Sequence, residues 1–278
     1  MRSPKVIAAL VLLASLPAPA EPLPLWEAGA SLSLLEHPDY RGSRHYNFAP
    51  LPLPYFVYRG DKLRITREGV KAELLKRDRL RLDISVAASL PSNKSDQPPR
   101  QGMPRLLPTF EVGPSLDYWL TDQRRDQWKA RVRLPIRAVA ATDIRHSKRV
   151  GWLTHPHVQA DRSSSAGPWD LQWSASAGAL WATRSYHEYF YQVDPQFATA
   201  ERPAYQARAG YSGATVSLFF SAGRGRWRIG AGVADDWLEG AAFRDSPLVQ
   251  TRNAVVAGVF VTYRIWGSDE HVPEEVPP

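Results

Sequence analysis

Residues 168–183 read PWDLQWSASAGALWAT, from Pro168 to Thr183. Every second residue from Trp169 to Trp181 is apolar, and the residues between them are polar or small except Leu180. This period of two predicts a β-strand. Twelve residues separate the two tryptophans, which is roughly 40 Å along a strand and roughly 30 Å of height at a tilt of about 40°. The stretch fits a strand that crosses a bilayer with an aromatic at each interface. A long strand of a soluble β-sandwich would show the same pattern.

A second stretch, residues 128–140, alternates in the same way but places cations between its apolar residues. Such a charged face is compatible with a solvated sheet. It also fits the water-filled interior of a barrel whose opposite face meets lipid. The apolar positions are Trp128, Ala130, Val132, Leu134, Ile136 and Ala138, and the positions between them are Lys129, Arg131, Arg133, Pro135 and Arg137.

The first twenty residues have the organisation of a secretory signal peptide. Arg2 and Lys5 precede an apolar run at residues 6–16, and Ala-Pro-Ala at residues 18–20 forms a cleavage site. We expect the mature chain to begin at Glu21. The apolar run is too short for a spanning helix, and no later stretch approaches eighteen consecutive apolar residues. The sequence predicts an exported protein without a transmembrane helix.

Composition narrows the classes of function. The chain has no cysteine, which excludes disulfides and thiolate metal sites. A formal net charge of +7 indicates an anionic surrounding or partner, such as lipopolysaccharide and outer-membrane lipid, and export argues against nucleic acid. Ten tryptophans and eleven tyrosines suit aromatic girdles at two membrane interfaces.

The whole chain gives eleven candidate strands and no helical period of useful length. Barrel closure satisfies every backbone group without water. We predict an all-β, closed antiparallel transmembrane β-barrel of the bacterial outer-membrane type over residues 21–266, with twelve strands or, as an alternative, ten. Residues 267–278 are predicted to be a disordered, acidic, Pro-rich tail.

Loop lengths give a check on this topology. Outer-membrane barrels have short periplasmic turns and longer outer loops. Short turns are expected near Arg77, Arg124, Ser164 and Arg224, and longer loops near residues 96, 145, 194 and 243. Eleven is an odd number of strands, and the long polar loop at 36–48 would fall at the end where short turns are expected. We therefore predict one missed or false strand before Leu63. At Glu68-Gly69 the apolar residues change from odd to even positions, which predicts a β-bulge. The prolines of 50–58 predict an edge strand, a bulged strand or a segment that lies partly outside the ladder.

Several local patterns recur in order along the chain. They are PDYRGS at 38–43, Leu53-Pro54 followed by YRGD at 58–61, PAY at 203–205 leading to AGY at 209–211, and DSPLV at 245–249. Their order and spacing over nearly the whole mature chain resemble the MltA-interacting protein (MipA)/OmpV family of outer-membrane proteins.

That resemblance implies an outer-membrane barrel without catalytic residues. For MipA it also implies a scaffold that brings a lytic transglycosylase together with a peptidoglycan synthase. For OmpV-like members it implies adhesion or stress-response roles. The expected function is a non-enzymatic scaffold without cofactor. The alternatives are a narrow anion-preferring channel and a surface adhesin or stress-response barrel.

The candidate site residues fall into two sets. A basic set is expected to line the lumen, either as an anion-selective path or paired with Glu27, Asp83, Glu111, Asp117 and Asp170 to fill it. An aromatic set is expected at the membrane interfaces. The basic residues are Arg79, Arg81, Lys129, Arg131, Arg133, Arg137, Arg208, Arg226, Arg228 and Arg264. The aromatic residues are Trp26, Trp128, Trp152, Trp169, Trp181, Trp227 and Tyr263.

Catalysis and metal binding have weaker signals. His155 and His157 share a strand face, with Asp161 further along, but two histidines in a polar lumen need no metal. No Gly-x-Ser-x-Gly elbow is present for a hydrolase. We therefore predict no metal, no catalytic residues and no enzyme activity.

Overall fold

Strands dominate the chain in the computed structural model. The structure describes residues 23–60, 63–66, 69–89, 99–122, 126–143 and 147–272. The predicted signal peptide at 1–20 lies outside these residues. The described part contains one α-helix and one short 3-10 turn, and the rest of its regular structure is β. The predicted all-β class with an antiparallel sheet is confirmed.

The strands are numbered in chain order. They are β1 (Leu23–Pro24), β2 (Trp26–Pro38), β3 (Tyr46–Arg59), β4 (Leu63–Thr66), β5 (Gly69–Arg77), β6 (Leu80–Ser89), β7 (Thr109–Trp119), β8 (Lys129–Thr142), β9 (Ser147–Thr154), β10 (His157–Ala166), β11 (Trp169–Ala182), β12 (Gly210–Arg224), β13 (Trp227–Trp237), β14 (Asn253–Gly267) and β15 (His271–Val272). The helix α1 spans Arg184–Tyr191, and the 3-10 turn spans Pro195–Phe197.

One antiparallel sheet contains every strand from β2 to β14. Neighbours in sequence are neighbours in the sheet from β2 through β9 and from β10 through β14, and β14 pairs with β2. The strands connect alternately at two ends of this sheet. We call the end with the connections after β2, β6, β8, β11 and β13 the cap end, and the opposite end the turn end.

Strands β9 and β10 lie end to end between the same two neighbours. β9 pairs with the C-terminal part of β8, and β10 pairs with its N-terminal part. Likewise β11 pairs with β10 over most of its length and with β9 at Trp181 and Ala182. Strands β9 and β10 therefore occupy one position in the sheet and are interrupted between Thr154 and His157, where Pro156 lacks a backbone donor. The short turn expected near Ser164 lies at residues 167–168, because residues 163–166 belong to β10.

The predicted bulge at Glu68-Gly69 is wrong. β4 and β5 form an antiparallel hairpin in which Ile65 is opposite Val70. The missed element therefore follows Leu63 rather than preceding it. β4 has only four residues, so it pairs with the long strand β3 at only two positions, opposite Tyr58 and Arg59. Pro50, Pro52 and Pro54 lie in β3 beyond those positions, which agrees with the expected edge.

The two ends of the described chain pair in a separate two-stranded sheet. β1 pairs with β15, so that Leu23 is opposite Val272. The Ser268 backbone N–H also donates to the Trp26 carbonyl. The predicted disordered tail is therefore wrong for residues 267–272, while residues 273–278 lie outside the described part.

Two predicted loops are shorter than expected. β2 extends to Pro38 and β3 begins at Tyr46, so the polar loop predicted at 36–48 is confined to 39–45. The connection between β8 and β9 spans only residues 143–146, although a longer loop was expected there.

The two faces of the sheet differ in polarity. On β7, Phe110, Val112 and Leu116 are exposed, whereas Glu111 and Asp117 are buried. This is the reverse of a soluble sheet, whose apolar face is covered and whose polar face is in water. We call these the apolar face and the polar face. Among the described residues, no helix has the length and hydrophobicity to span a membrane.

Candidate functional site

A network of buried ion pairs occupies the polar face where β7, β8 and β10 adjoin. The register places Asp117 opposite Arg133, and Gln159 opposite Arg131. The Arg131 guanidinium lies 3.3 Å from Asp161 and 3.9 Å from Asp117, measured between nitrogen and carboxylate oxygen. Arg133 Nε lies 3.1 Å from an Asp117 oxygen. Two arginines and two aspartates therefore form one compensated cluster.

Burial makes this cluster sensitive to the loss of one member. Arg131 is only 1% exposed, and its guanidinium stacks 4.8 Å from the centre of the Trp119 ring. The Gln159 amide donates to Asp161 at 2.9 Å. A buried charge without its partner costs several kcal/mol. The ion pairs and hydrogen bonds of this network therefore connect β7, β8 and β10 on the polar face.

Two further carboxylates of the polar face are paired. Arg137 Nη1 lies 3.4 Å from Glu111. Glu27 accepts from Arg59 at 2.8 Å and from the Tyr55 hydroxyl at 2.9 Å. Of the acidic partners proposed from sequence, Glu27, Glu111 and Asp117 thus lie beside arginines, and Asp83 is buried. Asp170 is exposed near the turn end.

The predicted basic residues differ in how exposed their side chains are. Arg81, Arg131, Arg133 and Arg137 are buried or nearly so, and Arg131, Arg133 and Arg137 have the carboxylate partners described above. Arg264 lies 3.9 Å from Glu27 with a third of its side chain exposed. Lys129 and Arg228 are half-buried, and Arg228 donates to Ser221. Those that the structure leaves exposed are Arg79 and Arg226 beside turns and Arg208 before β12.

The predicted interface aromatics lie near the two ends of the sheet. Trp169 and Trp181 stand at opposite ends of β11 and are 38% and 42% exposed. Trp152 and Trp181 lie toward the cap end. Trp128, Trp169 and Trp227 are exposed toward the turn end, where Trp26 and Tyr263 are half-buried.

His155 and His157 stack on each other, with ring centres 4.6 Å apart. The His157 Nδ1 lies 2.7 Å from the His155 carbonyl oxygen and therefore donates to it. Asp161 is engaged by Arg131 and Gln159 instead. The described residues contain no group of three side chains placed to hold a metal ion.

The main apolar core lies at the cap end and was missed in the sequence. It joins α1, the strand ends and the connections after β2, β6, β11 and β13, and we call it the cap. Tyr191 of α1 stacks on Phe243 with ring centres 3.6 Å apart and an interplanar angle of 4°. Leu238, Leu248 and Val193 complete its fully buried centre. One end of the sheet is thus covered by a packed layer.

Buried hydrogen bonds fix the cap to the strands. The Tyr191 hydroxyl donates to the Arg41 carbonyl at 3.0 Å, and the Tyr40 hydroxyl donates to the Leu248 carbonyl at 2.7 Å. Arg41 Nε donates to Asp236 at 2.8 Å. Burial lowers the pKa of Arg41, but the carboxylate of Asp236 opposes that effect and keeps the pKa raised. Burial raises the pKa of Tyr191.

The buried side chain of His187 links α1 to the segment that leads into β12. Its Nδ1 donates to the Arg208 carbonyl, and its Nε2 accepts from the Ser212 hydroxyl. The ring is 0% exposed. Burial lowers the pKa of His187, and the Arg208 carbonyl opposes that shift while Arg41 adds to it. The imidazole is therefore held neutral.

The helix α1 depends on this packing. Eight residues are too few for a stable isolated helix. Tyr186, His187, Phe190 and Tyr191 form its buried side, while Arg184 and Glu188 pair on the exposed side. The spacing of Tyr186 and Phe190 was the available sequence signal, but it is one turn long.

The chain matches one protein family over most of its length. The model of the family described as MltA-interacting protein MipA matches residues 30–265, from β2 into β14. No curated protein gives a significant match.

Solved structures of outer-membrane proteins are similar at low sequence identity. A bacterial polysaccharide outer membrane secretin has 9% identity and a TM-score of 0.36, with coverage of 86% of this chain and 99% of that chain. Outer membrane phospholipase A from Escherichia coli has 10% identity and a TM-score of 0.31, with coverage of 85% and 93%. Pseudomonas aeruginosa OccK8 (OprE) has 9% identity and a TM-score of 0.24, with coverage of 78% and 70%.

Proposed function

Because the chain belongs to the MltA-interacting protein MipA family, we propose that it is a non-enzymatic outer-membrane β-barrel that holds peptidoglycan-remodelling enzymes close to the membrane. The family membership confirms the resemblance recognised from local motifs. The family match over residues 30–265 is the observation that carries the proposal. The reversed polarity of the sheet supports its membrane part.

The sheet closes into a barrel of twelve strands in this proposal. β9 and β10 count as one interrupted strand, because both lie between β8 and β11. The hairpin of β4 and β5 supplies two strands where one was expected. An even number agrees with antiparallel pairing of the last strand with the first, as between β14 and β2.

The apolar face meets lipid, and the charged face lines the interior. Trp169 and Trp181 mark the two interfaces on β11. The cap faces outward and the turn end faces the periplasm, since short turns are typical of the periplasmic end of such barrels.

The scaffold role assigns the turn end to protein partners. The proposed partners are a lytic transglycosylase, which the family name implies, and a peptidoglycan synthase. The turn end also holds both paired terminal strands, β1 and β15. It is the end of the sheet that the cap leaves uncovered.

Site-specific crosslinking in intact cells tests this assignment. A photoreactive residue at Gly225, in the turn between β12 and β13, should capture a transglycosylase or synthase. The matched position is Glu239, an exposed residue at the cap end, which should capture neither. Absence of both enzymes from the Gly225 product, with the barrel folded, would contradict the scaffold role.

Membrane fractionation with heat-modifiable gel mobility tests the barrel itself. The mature chain should fractionate with the outer membrane and migrate faster before boiling. Recovery in the soluble fraction without a mobility shift would reject the barrel. This result is independent of any partner.

The surface-binding alternative has one observation in its favour. The cap is a packed layer rather than a set of separate loops, so it presents a fixed surface to the outside. Adhesion of cells to a host surface, compared with and without the gene, tests this role. The channel is the weaker alternative, because interior arginines are paired and the cap covers one end.

A further inference from the structure

An arginine stands within a row of aromatic side chains on the apolar face at the turn end. The register places Arg224 of β12 opposite Trp227 of β13, and Trp227 opposite Tyr263 of β14. Asp170 is opposite Gly223, so Trp169 adjoins Arg224 from the other side. Four neighbouring strands thus carry Trp169, Arg224, Trp227 and Tyr263 in one continuous row across the ladder.

The side chains of this row contact one another. The Arg224 guanidinium lies 5.8 Å from the centre of the Trp169 ring. The Trp227 and Tyr263 rings lie 4.6 Å apart. Trp169 and Trp227 are 38% and 56% exposed. The row therefore offers an arginine stacked on one exposed indole and flanked by a second.

Next to Arg224 on the apolar face, a small residue lies between two larger ones. Ala222 lies opposite Ile229 on β13 and opposite Leu171 on β11. Ile229 is 51% exposed, whereas Ala222 is only 8% exposed. Two residues further along these strands, Trp173 lies opposite Phe220, and their rings are 4.2 Å apart. Larger side chains therefore surround Ala222 on the apolar face.

The charge of Arg224 is left for an external anion. Within the described part of the chain, no carboxylate lies within 4.0 Å of its guanidinium. Asp170 shares its ladder position with Gly223 and so belongs to the alternate, polar face. Arg226, across the turn at Gly225, is a second exposed cation. Arginine is well suited to a phosphate because its donors form a planar fork.

We propose that Arg224, Trp169 and Trp227 bind the phosphate of an anionic phospholipid, with one acyl chain lying over Ala222. The site rests on the proposed function, because it requires the apolar face to be in a bilayer. The occupant is a phospholipid because the row stands at the turn end, which faces the inner leaflet in that proposal. The aromatic rings fix the depth of the headgroup, and the arginine selects its charge.

Native mass spectrometry of the full mature chain tests the site. The protein is released from nanodiscs that contain equal amounts of phosphatidylglycerol and phosphatidylcholine, and the retained lipids are counted. The wild type should retain phosphatidylglycerol preferentially. Arg224→Gln should weaken that retention by about tenfold, the factor expected for one charge-assisted hydrogen bond. Arg224→Lys should retain an intermediate amount.

Arg149 provides the matched control. It stacks on Trp152 at 5.9 Å toward the cap end, so Arg149→Gln removes the same kind of contact elsewhere. This variant should retain phosphatidylglycerol like the wild type. Equal losses in both variants, or no preference in the wild type, would overturn the site. Tight retention of glycerol 3-phosphate, which lacks acyl chains, would also overturn it in favour of a simple phosphate site.

Heat-modifiable gel mobility distinguishes failure of the lipid site from failure of the proposed membrane barrel. If every variant is folded and inserted but Arg224→Gln keeps its phosphatidylglycerol, only the lipid site is lost. If the wild type itself does not insert into bilayers, the membrane proposal is rejected first.

Discussion

Arg131 Nη2 lies 3.3 Å from an Asp161 oxygen, between strands that belong to different hairpins. The contact forms because β10 pairs with β8 while β9 continues along the remainder of β8. Asp161 was considered in the sequence as a third partner of two histidines, but the strand pairing brings it to an arginine. The buried charge is compensated across the sheet rather than along one strand.

Removing one member of this pair should destabilise the barrel. Asp161→Asn should lower the free energy of unfolding by about 3–5 kcal/mol, because Arg131 would keep a buried charge with one weaker partner. Unfolding in guanidinium chloride, followed by tryptophan fluorescence, measures the change. The double variant Asp161→Asn with Arg131→Gln should lose less than the sum of the two single variants.

The control for that experiment is an exposed pair at the cap end. Arg252 Nη1 lies 2.7 Å from Glu239, and both side chains are about 60% exposed. Arg252→Gln should cost less than about 1 kcal/mol, because water screens the charges. Equal costs for Asp161→Asn and Arg252→Gln would show that the interior network is not buried as described.

The cap should detach when Gly151 is replaced by alanine. Gly151 has a φ of +145°, and an added Cβ would lie 2.4 Å from Thr183 Oγ1 and 2.9 Å from the Tyr186 backbone nitrogen. The first turn of α1 would have to move. Hydrogen exchange in α1 should accelerate at least tenfold, while gel mobility stays heat-modifiable. Gly167→Ala, in an uncrowded turn with a φ of +58°, should leave exchange in α1 unchanged.

Cap stability should fall at acidic pH through His187. Burial lowers the pKa of this histidine, so the detached state binds more protons than the packed state. The stabilisation is complete above about pH 6.5, the ordinary histidine value, and declines as the pH falls below it. Arg41 disfavours protonation of the packed ring, and the facing Tyr186 and Tyr191 stay neutral because their pKa values are raised.

Hydrogen exchange in α1 measures this dependence. After correction for intrinsic rates, exchange in the wild type should be faster at about pH 5 than at about pH 7.5. His187→Gln should show a much smaller difference, since glutamine keeps a donor and an acceptor but does not titrate. An unchanged acid effect in this variant would assign the titration to another group.

The intact protein should carry little current in planar bilayers. Interior arginines are paired, and the cap covers one end of the sheet. Single-channel recordings should stay near the baseline of the empty membrane. A stable conductance with anion selectivity would instead support the channel.

Alternation predicted the strands because each has one apolar and one polar face. The stretch at 168–183 corresponds closely to β11 (Trp169–Ala182). The hairpin of β4 and β5 was missed, because a change of parity at Glu68-Gly69 is the same for a bulge and for a reversal of the chain. Only the pairing of Ile65 with Val70 distinguishes them.

The cap could not be predicted because its parts are distant in sequence. Tyr40, Met103, Tyr191 and Phe243 share one core, yet each lies in a different connection. The connection that contains α1 is rich in aromatic residues, but no local period shows which other loops those rings meet. The basic residues of β8 were easier to predict from the sequence, because the period of a single strand places Arg131, Arg133 and Arg137 on one face.

The short strand β4 leaves most of β3 with a partner on one side only among the described strands. An unpaired edge of this length would ordinarily recruit a strand from another molecule. Three prolines remove three amide hydrogens from β3, at Pro50, Pro52 and Pro54. We therefore expect β3 and β4 to be the first neighbouring strands to separate under lateral tension. The same prolines make β3 a poor template for aggregation while the chain crosses the periplasm.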